Sequence, residues 1–203
     1  MRLIFIGPQG SGKGTQAKII SEKIGFPHIS TGDLLRKAKS PLKEKVEEYM
    51  KKGKLIPDEL ILELLKEIIN SRYCKVGFIL DGYPRNLKQA KELEKITSID
   101  KLIEISISDK DAVKRLSGRR NCPKCGKIYN IHTNPKPKKE NKCDNCKLEL
   151  FQRQDDNEDA IKKRLEIYHK ETKPILKNYP HIKVNGNQDI NKVTQDILEK
   201  LIV

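Results

Sequence analysis

Residues 3–15 have the sequence LIFIGPQGSGKGT, in which a short apolar run leads directly into a glycine-rich turn. After the turn, Ala17, Ile20 and Ile24 recur at helical spacing with polar residues between them, which predicts a helix. A strand, a glycine-rich loop and a helix in this order form a phosphate-binding loop, because the glycines and the helix N-terminus turn backbone N–H groups toward phosphate oxygens. We therefore expect a nucleotide-binding protein.

Further apolar runs alternate with helical patterns along the chain. The predicted strands are Leu3–Ile6, Val76–Leu80, Leu102–Ile107, His181–Val184 and, more weakly, Phe26–Ile29. The clearest helical patterns between them are Asp58–Asn70 and Leu87–Ile96. Strands that alternate with helices form a parallel sheet covered on both faces. The sequence thus predicts an α/β protein of the P-loop NTPase fold, with a five-stranded parallel sheet flanked by helices.

Two segments interrupt this alternation. Residues 30–56 are Lys-rich and helical in pattern, and residues 118–155 carry four cysteines with almost no apolar periodicity. A segment that cannot build a core of its own needs a metal or a partner to become ordered. We therefore predict a core made of residues 1–29, 57–117 and 156–203, with a helical insert at 30–56 and a metal-braced insert at 118–155.

The four cysteines form two CxxC pairs with the spacing C-x2-C-x17-C-x2-C: Cys122, Cys125, Cys143 and Cys146. Each pair can present two thiolates to one tetrahedral ion, and four protein ligands leave no position open for water, which favours a structural zinc site. An iron–sulfur centre and disulfides are the alternatives. The fifth cysteine, Cys74, precedes an apolar run and is predicted to be a buried small apolar residue.

The balance of charges is strongly basic, with 42 Lys and Arg against 28 Asp and Glu and a net charge of +14. This favours polyanionic partners such as nucleic acid, an anionic membrane surface or phosphorylated small molecules, although part of the excess is a solvated Lys-rich surface. The chain has no run of 18 or more apolar residues, which excludes a membrane span. No signal-peptide cleavage pattern follows the first apolar run, so a cytoplasmic location is expected.

A second candidate site lies in residues 76–85, VGFILDGYPR, where an apolar strand ends in Asp81 and a tight turn leads to Arg85. Ligands of open α/β sheets bind in the crevice at the carboxyl ends of the strands. Asp81 would then lie beside the phosphate loop and hold water on Mg²⁺. The alternative is an ordinary Asp–Gly turn at the surface.

Arg164 is singled out by its helix. Ile161, Leu165 and Tyr168 share one helical face, and Arg164 falls at the edge of that face. An arginine that points inward needs an anion, which is either a phosphate or a carboxylate of the protein.

Five segments together resemble the adenylate kinases, which are P-loop nucleoside monophosphate kinases, over essentially the whole chain. They are GPQGSGKGTQ (7–16), STGDLLR (30–36), GKLIPDEL (53–60), GFILDGYPR (77–85) and RQDDNEDAIKKRLEIYH (153–169). In the phosphate loop, Gly14 stands where the common pattern GxxxxGK[ST] has Ser or Thr, and Gly-Lys-Gly-Thr is similar to the loop of that family. The resemblance implies reversible transfer of the terminal phosphoryl group from Mg-ATP to AMP, giving two ADP, in a monomer that needs neither nucleic acid nor a membrane.

The resemblance also implies an AMP-binding domain at 30–56, a lid at 118–155 with a structural zinc as in some bacterial members, and a set of site residues. The residues implied for ATP are Gly10, Ser11, Gly12, Lys13, Gly14, Thr15, Arg115, Arg119, Ile128, Tyr129 and Gln188. Those implied for AMP are Thr31, Arg36, Lys54, Leu55, Ile56, Gly82, Tyr83, Pro84, Arg85, Gln89, Arg153 and Arg164. Those implied for catalysis are Lys13, Asp81, Arg85, Arg119, Arg153 and Arg164. Gln89 matches the position that reads the adenine edge, which favours AMP over CMP or UMP.

Two rival functions remain at this point. One is a UMP/CMP-type nucleoside monophosphate kinase. The other is a zinc-ribbon nucleic-acid-binding protein switched by ATP, which the net charge of +14, the four cysteines and the basic stretch Lys136–Lys142 permit. Against the second stands the absence of any aromatic residue in that stretch, because bases bind single-strand readers largely by stacking on aromatic rings.

Overall fold

The structure, a computed structural model, describes residues 1–37 and 57–202. The helices and strands, in chain order, are β1 (Arg2–Ile6), α1 (Lys13–Ile24), β2 (His28–Ser30), α2 (Thr31–Lys37), α3 (Asp58–Ile69), β3 (Phe78–Asp81), α4 (Leu87–Glu94), β4 (Lys101–Ser106), α5 (Asp109–Ser117), β5 (Arg119–Asn121), β6 (Ile128–Asn130), α6 (Glu158–Ile167), β7 (His181–Asn185) and α7 (Ile190–Ile202). Short 3₁₀ turns occupy Arg72–Cys74, Gln154–Asp156 and Lys173–Lys177, and a π-helical turn occupies Tyr168–Thr172.

Five strands form one parallel sheet in the order β2-β3-β1-β4-β7, which confirms the predicted sheet. β1 lies at its centre, with Phe5 in register with Asp81 of β3 and with Ile103 of β4. Because all strands run the same way, their carboxyl ends lie at one edge of the sheet. The phosphate loop leaves β1 at this edge, and Asp81 ends β3 beside it.

The two faces of the sheet are buried by different helices, because alternate residues of a strand point to opposite sides. Leu3 and Phe5 of β1 belong to a cluster with residues of α1 and α7, whereas Ile4 and Ile6 belong to a cluster with residues of α3 and α4. Burying each large aliphatic side chain contributes about 1.5–3 kcal/mol. Cys74 lies buried in the second cluster, as predicted.

Some element boundaries differ from the predicted ones. The strand predicted at Val76–Leu80 begins at Phe78 and continues to Asp81. Val76 is 77% exposed, and at Gly77 an added Cβ would lie 2.3 Å from the main-chain oxygen of Met1. The chain therefore passes close to the N-terminus before it enters the sheet. The edge strand β2 is His28–Ser30 where Phe26–Ile29 was expected, and α4 ends two residues early, at Glu94.

In the segment 118–155, β5 and β6 form an antiparallel pair, to which Phe151 adds a bridge at Asn121. The buried apolar cluster of this segment consists of Cys122, Tyr129, Cys143 and Leu150, so that two of its four members are cysteines. A cluster this small gives little stability by itself. None of the helices in the described ranges is both long and apolar enough to cross a bilayer.

Candidate active site

The phosphate loop joins β1 to the N-terminus of α1. Gly10 and Gly12 have φ angles of +85° and +91°, in the left-handed region that favours glycine. Gly12 is the N-cap of α1 and offers no side-chain cap to the first N–H groups of the helix, so these donors remain available to an anion. The Ser11 hydroxyl is buried and has no hydrogen-bond partner in the described structure. The loop thus presents donors for phosphate oxygens.

Lys13, the first residue of α1, lies among several charged side chains. Burial lowers its pKa from 10.5 to about 8, an effect that Asp81 opposes and that Arg85, Arg164 and Arg119 reinforce. Four charged residues from three separate parts of the chain therefore lie close enough to Lys13 to change its protonation. Its Nζ atom donates a hydrogen bond to the main-chain oxygen of Pro8, at 3.3 Å.

Asp81 is buried at the carboxyl end of β3. Burial raises the pKa of its carboxyl group, but the His28 imidazole, 3.7 Å away, and the charge of Lys13 outweigh this, and the pKa is lowered overall. The carboxylate therefore stays ionised. A Cβ at Gly14 would lie 3.0 Å from Asp81 Oδ2, which explains why glycine fits at the position where other P-loops have Ser or Thr.

The turn after Asp81 contacts the start of α2. The Thr31 hydroxyl donates to the main-chain oxygen of Asp81 (3.3 Å), and a Cβ at Gly82 would lie 2.7 Å from that hydroxyl. Arg85 Nε donates to the oxygen of Gly82 (2.8 Å), while Tyr83 and Pro84 between them are buried. The side chain of Arg36 and the whole of Lys54, Leu55 and Ile56 lie outside the described residues.

Gln89, in the first turn of α4, has its side chain engaged at both ends. Its Oε1 accepts from the main-chain N–H of Arg85 (2.7 Å), and its Nε2 donates to Asp58 Oδ1 (2.6 Å). Asp58 was not among the predicted site residues. The feature of the sequence that could have identified it is its position at the N-terminus of α3, next to the predicted insert at 30–56.

Arg119 and Arg164 share one carboxylate. Arg119 donates to both oxygens of Asp156, at 2.8 and 2.6 Å, and Arg164 Nη1 lies 3.4 Å from Asp156 Oδ1 and 2.9 Å from Asp155 Oδ2. The Asp156 side chain is 0% exposed, against 15% for Arg119 and 26% for Arg164. The position of Arg164 on its helix predicted that its side chain meets either a phosphate or a carboxylate of the protein. In this structure it meets carboxylates of the protein. Asp156 was missed because nothing in its local pattern marks it.

The remaining arginines flank the same region. Arg153 Nε donates to Asn121 Oδ1 at 3.2 Å, which ties the end of the lid segment to β5. Arg115 donates to the main-chain oxygens of Gly186 (2.9 Å) and Ser11 (3.5 Å), and so links α5 to the phosphate loop.

The residues implied for the adenine of ATP are spread over two regions. Ile128 begins β6, and Tyr129 follows it with a buried ring, whose hydroxyl accepts from the N–H of Asp144 (2.8 Å) and lies 3.6 Å from Cys143 Sγ. The Tyr129 side chain thus packs inside the lid segment. Gln188 lines a cavity of about 510 Å³ at the end of β4 and β7, where its Nε2 donates to Asn185 O and Asp196 Oδ2.

The four predicted metal ligands come together. The Sγ atoms of Cys122, Cys125, Cys143 and Cys146 all lie within 4.8 Å of one another, and those of Cys125 and Cys143 are 3.6 Å apart. All five cysteines of the chain, each within the described ranges, are free thiols. A tetrahedral zinc with Zn–S bonds of about 2.3 Å separates its sulfurs by about 3.8 Å, which agrees with this arrangement.

The protonation of these thiols also fits a cation. Burial raises the pKa of the Cys143 thiol, but hydrogen bonds from the N–H of Cys146 and the Tyr129 hydroxyl lower it overall. The hydrogen bond to Cys125 and the negative charge of neighbouring thiols raise the pKa of Cys146. Four thiolates this close repel one another, and a divalent cation would relieve that repulsion.

A phosphate loop at the centre of a parallel sheet, an ionised aspartate on the adjacent strand and arginines around the loop's lysine define the class of protein. The chain is a P-loop protein whose site is built for nucleotide phosphates.

Comparison with known proteins identifies the family. The profile described as adenylate kinase matches residues 5–184. Relatives named adenylate kinase include those of Clostridium novyi (46% identical, covering 97% of this chain and 96% of the relative), Thermodesulfovibrio yellowstonii (48%, covering 88% and 86%) and Archaeoglobus fulgidus (44%, covering 99% of each). The chain belongs to the adenylate kinase family, and it is a phosphotransferase enzyme of that family.

Proposed function

We propose that the chain transfers the terminal phosphoryl group of Mg-ATP directly to AMP, giving two ADP, and catalyses the reverse reaction. The observation that carries this proposal is the convergence of charge on the phosphate loop, where Asp81, Arg85, Arg119 and Arg164 all influence the pKa of Lys13. Phosphoryl transfer needs two anionic nucleotides held in line and the developing charge neutralised, and it needs little covalent help from protein.

Each part of the site has a role in this proposal. The loop from Gly10 to Thr15 holds the ATP phosphates, and Lys13 reaches the outer ones. Arg85 holds the phosphate of AMP. Arg119, Arg153 and Arg164 neutralise charge as the phosphoryl group moves, because a guanidinium grips phosphate oxygens bidentately and keeps its charge. No residue of the protein is phosphorylated, so no nucleophile is required.

Mg²⁺, when bound with ATP, supplies neutralisation of charge between its phosphates. Asp81 is the residue that would hold it through water, and its lowered pKa fits that role because the carboxylate is ionised at neutral pH. The buried position of Asp81 beside Gly14 brings the carboxylate to the start of α1, next to the phosphate loop.

The core and its two inserts divide this work. We assign residues 1–29, 57–117 and 156–203 to the core, 30–56 to the AMP-binding domain and 118–155 to the lid. The lid begins next to Arg119 and ends next to Arg153, so that movement of the lid would carry both arginines. The thiols of Cys122, Cys125, Cys143 and Cys146 would hold a structural zinc that braces this lid, since protein supplies all four ligands.

The assay is ADP formation with Mg-ATP and each of AMP, CMP, UMP and GMP, together with metal analysis of the purified protein. AMP is expected to be preferred by a wide margin, with one zinc per chain. Preference for CMP or UMP would replace the proposal with the pyrimidine alternative. Iron in place of zinc would change the identity of the metal but not the reaction. DNA or RNA binding tighter than AMP binding, and sensitive to salt, would favour the nucleic-acid alternative.

We further propose that the enzyme works as a cytoplasmic monomer. Light scattering at assay concentration is expected to give the mass of one chain, 23.3 kDa. A dimer at that concentration would contradict the proposal.

A further inference from the structure

The carboxamide of Gln89 is fixed before any ligand arrives. Its Oε1 accepts from the main-chain N–H of Arg85 at 2.7 Å, and its Nε2 donates to Asp58 Oδ1 at 2.6 Å. The main chain of Gln89 is held as well, since its N–H donates to Asn86 Oδ1 (2.8 Å) and its carbonyl accepts from the Tyr83 hydroxyl (3.3 Å). Gln89 is only 4% exposed. These contacts restrict both the place and the rotation of its amide.

The two partners also determine which end of the amide is oxygen. A main-chain N–H can only donate, and an ionised carboxylate can only accept. If the amide of Gln89 turned by 180°, Nε2 would face the N–H of Arg85 and Oε1 would face the carboxylate of Asp58. Both hydrogen bonds would be lost, and two pairs of like partial charges would meet. One orientation is therefore strongly favoured.

This orientation leaves a defined hydrogen-bonding capacity. A primary amide has two N–H donors and two acceptor lone pairs. Asp58 uses one donor of Gln89, and Arg85 uses one lone pair. The remaining donor at Nε2 and acceptor at Oε1 complement a base edge that carries an amino group beside an unprotonated ring nitrogen. Adenine has that edge, whereas hypoxanthine and guanine carry a carbonyl beside a protonated nitrogen.

We propose that Asp58 is a specificity-determining positioning residue: by orienting the Gln89 carboxamide it makes the monophosphate site select 6-aminopurine over 6-oxopurine nucleotides. This inference rests on the proposed function, in which Gln89 reads the base of AMP. Asp58 acts through Gln89 and need not touch the nucleotide. Cytosine shares the amino pattern, so the orientation of Gln89 distinguishes AMP from 6-oxopurine nucleotides and not from CMP.

The chain supplies a matched control one residue away. Glu59 stands in the same first turn of α3, and its carboxylate lies 3.3 Å from Lys88 Nζ of α4. The Glu59–Lys88 pair thus joins the same two helices as the Asp58–Gln89 pair. Both members of the control pair are well exposed, and neither contacts the Gln89 amide. Loss of the Glu59 charge should leave the choice of base unchanged.

The experiment measures kcat/KM with Mg-ATP for AMP and for IMP, which has the same size but a 6-oxo edge, in the wild type and in D58A, D58N and E59Q. D58A is expected to lower the ratio of kcat/KM for AMP to that for IMP about tenfold. IMP requires the flipped orientation of the Gln89 amide, and without Asp58 this flip costs only the hydrogen bond to Arg85 instead of two hydrogen bonds. D58N should lower it by a similar factor, since asparagine can offer either a donor or an acceptor and so no longer opposes the flipped amide. The change should appear in KM for the monophosphate and in its Kd by calorimetry, with KM for ATP and the E59Q ratio unchanged.

The outcomes separate this inference from the function on which it rests. If kcat/KM falls equally for AMP and IMP in D58A and D58N, Asp58 only supports the fold of the site, and the inference is wrong while the proposed function stands. The same holds if E59Q changes the AMP:IMP ratio as much as D58N does. If the wild type makes no ADP from AMP, the proposed function itself fails.

Discussion

Lys13 is a residue whose protonation depends strongly on its surroundings. Its pKa in the folded protein is about 8, against 10.5 when solvated. Between these pH values the unfolded chain binds more protons than the folded one, so the contribution of this lysine to stability rises as pH rises through the interval. A bound polyphosphate reverses the effect, because a nearby anion favours the charged amine.

The lowered pKa of Lys13 predicts that the protein takes up protons when a nucleotide binds. Calorimetry of ADP binding at about pH 8.5, in two buffers with different ionisation enthalpies, should show a substantial fraction of a proton taken up per nucleotide. K13R is the control, since a guanidinium stays charged throughout this range. Equal uptake by the wild type and K13R would mean that another group is responsible.

Asp156 is the second residue with a measurable consequence. It is the shared, fully buried partner of Arg119 and Arg164. D156N would leave Arg119 without its carboxylate and Arg164 with only the exposed carboxylate of Asp155, and we expect a loss of about 1–3 kcal/mol in the free energy of unfolding. Urea denaturation followed by circular dichroism gives this value.

The control for Asp156 is an exposed pair on the next helix. Glu158 and Lys162 lie 2.7 Å apart with side chains 74% and 61% exposed, so water and salt screen them. E158Q should unfold at the same urea concentration as the wild type. A D156N midpoint that also matches the wild type would show that the two arginines find other partners without loss.

Local sequence patterns predicted some features of the site and missed others. The phosphate loop and the cysteine quartet were predicted because their residues are close in sequence and their spacing is dictated by the ligand. The pairing of Arg119 with Asp156 joins residues 37 positions apart, and it depends on how the lid segment returns to the core. The burial of the Tyr129 ring beside Cys143 was not predicted either, and it follows from the scarcity of other apolar groups in the segment 118–155. The association of Tyr129 with ATP stays a prediction.

At the scale of elements, the segment 118–155 has little apolar packing apart from its cysteines. Its buried cluster has four members, Cys122, Tyr129, Cys143 and Leu150, and two of them are thiols. A metal held by the four thiols would give such a segment the order that its small apolar cluster does not supply. The chain's larger clusters, on the two faces of the sheet, do not include the lid.

Removal of the metal should therefore loosen the lid and spare the phosphate loop. We expect metal-free protein to melt at a lower temperature: a loss of about 3 kcal/mol would lower Tm by about 6–12 °C, since each kcal/mol shifts Tm by about 2–4 °C in a chain of this size. ATP binding should persist, while turnover falls. Differential scanning calorimetry and ATP titration measure both. Metal-free protein with unchanged Tm and full activity would refute the structural role.

Two cysteine variants give the matched comparison. C125S removes an exposed thiol of the cluster and should lose the metal. C74S removes a buried thiol outside the cluster and should retain one metal per chain. Both variants lose one sulfur, so a difference in metal content between them would show that the four-cysteine cluster binds the metal.

At the scale of the whole molecule, the net charge and the sheet topology both affect how anionic substrates reach the site. The chain carries +14, and both substrates are polyanions that must reach one edge of the sheet. Such a charge raises the rate of encounter with anions at low ionic strength, and salt screens it beyond about 10 Å at 0.1 M. The charge therefore affects association more than the chemical step.

We expect kcat/KM for AMP to fall severalfold when KCl rises from about 20 to about 300 mM, with kcat changing less than twofold. Steady-state kinetics at constant free Mg²⁺ tests this. Glucose at matched osmolality is the control and should have no such effect. A kcat/KM independent of salt would show that the basic surface lies too far from the site to matter.

The sheet itself was predictable because five apolar runs alternate with helical patterns, and such alternation allows few topologies. Strand boundaries were less so. β3 begins at Phe78, and Gly77 before it passes against the main chain of Met1, a contact across 76 positions that no local pattern encodes.

The carboxylate shared by Arg119 and Arg164 has one more consequence. If these arginines serve the nucleotides, an arriving phosphate displaces a resident anion of the protein and not merely water. The contribution of these arginines to nucleotide affinity is then the difference in free energy between their ion pairs with phosphate and their ion pairs with Asp156. This difference stays moderate even when the guanidinium groups fit the phosphates well. When ADP departs, Asp156 would take its place, so that both arginines would again have a counter-charge. An enzyme that must release two charged products in each turnover gains speed from such an internal competitor.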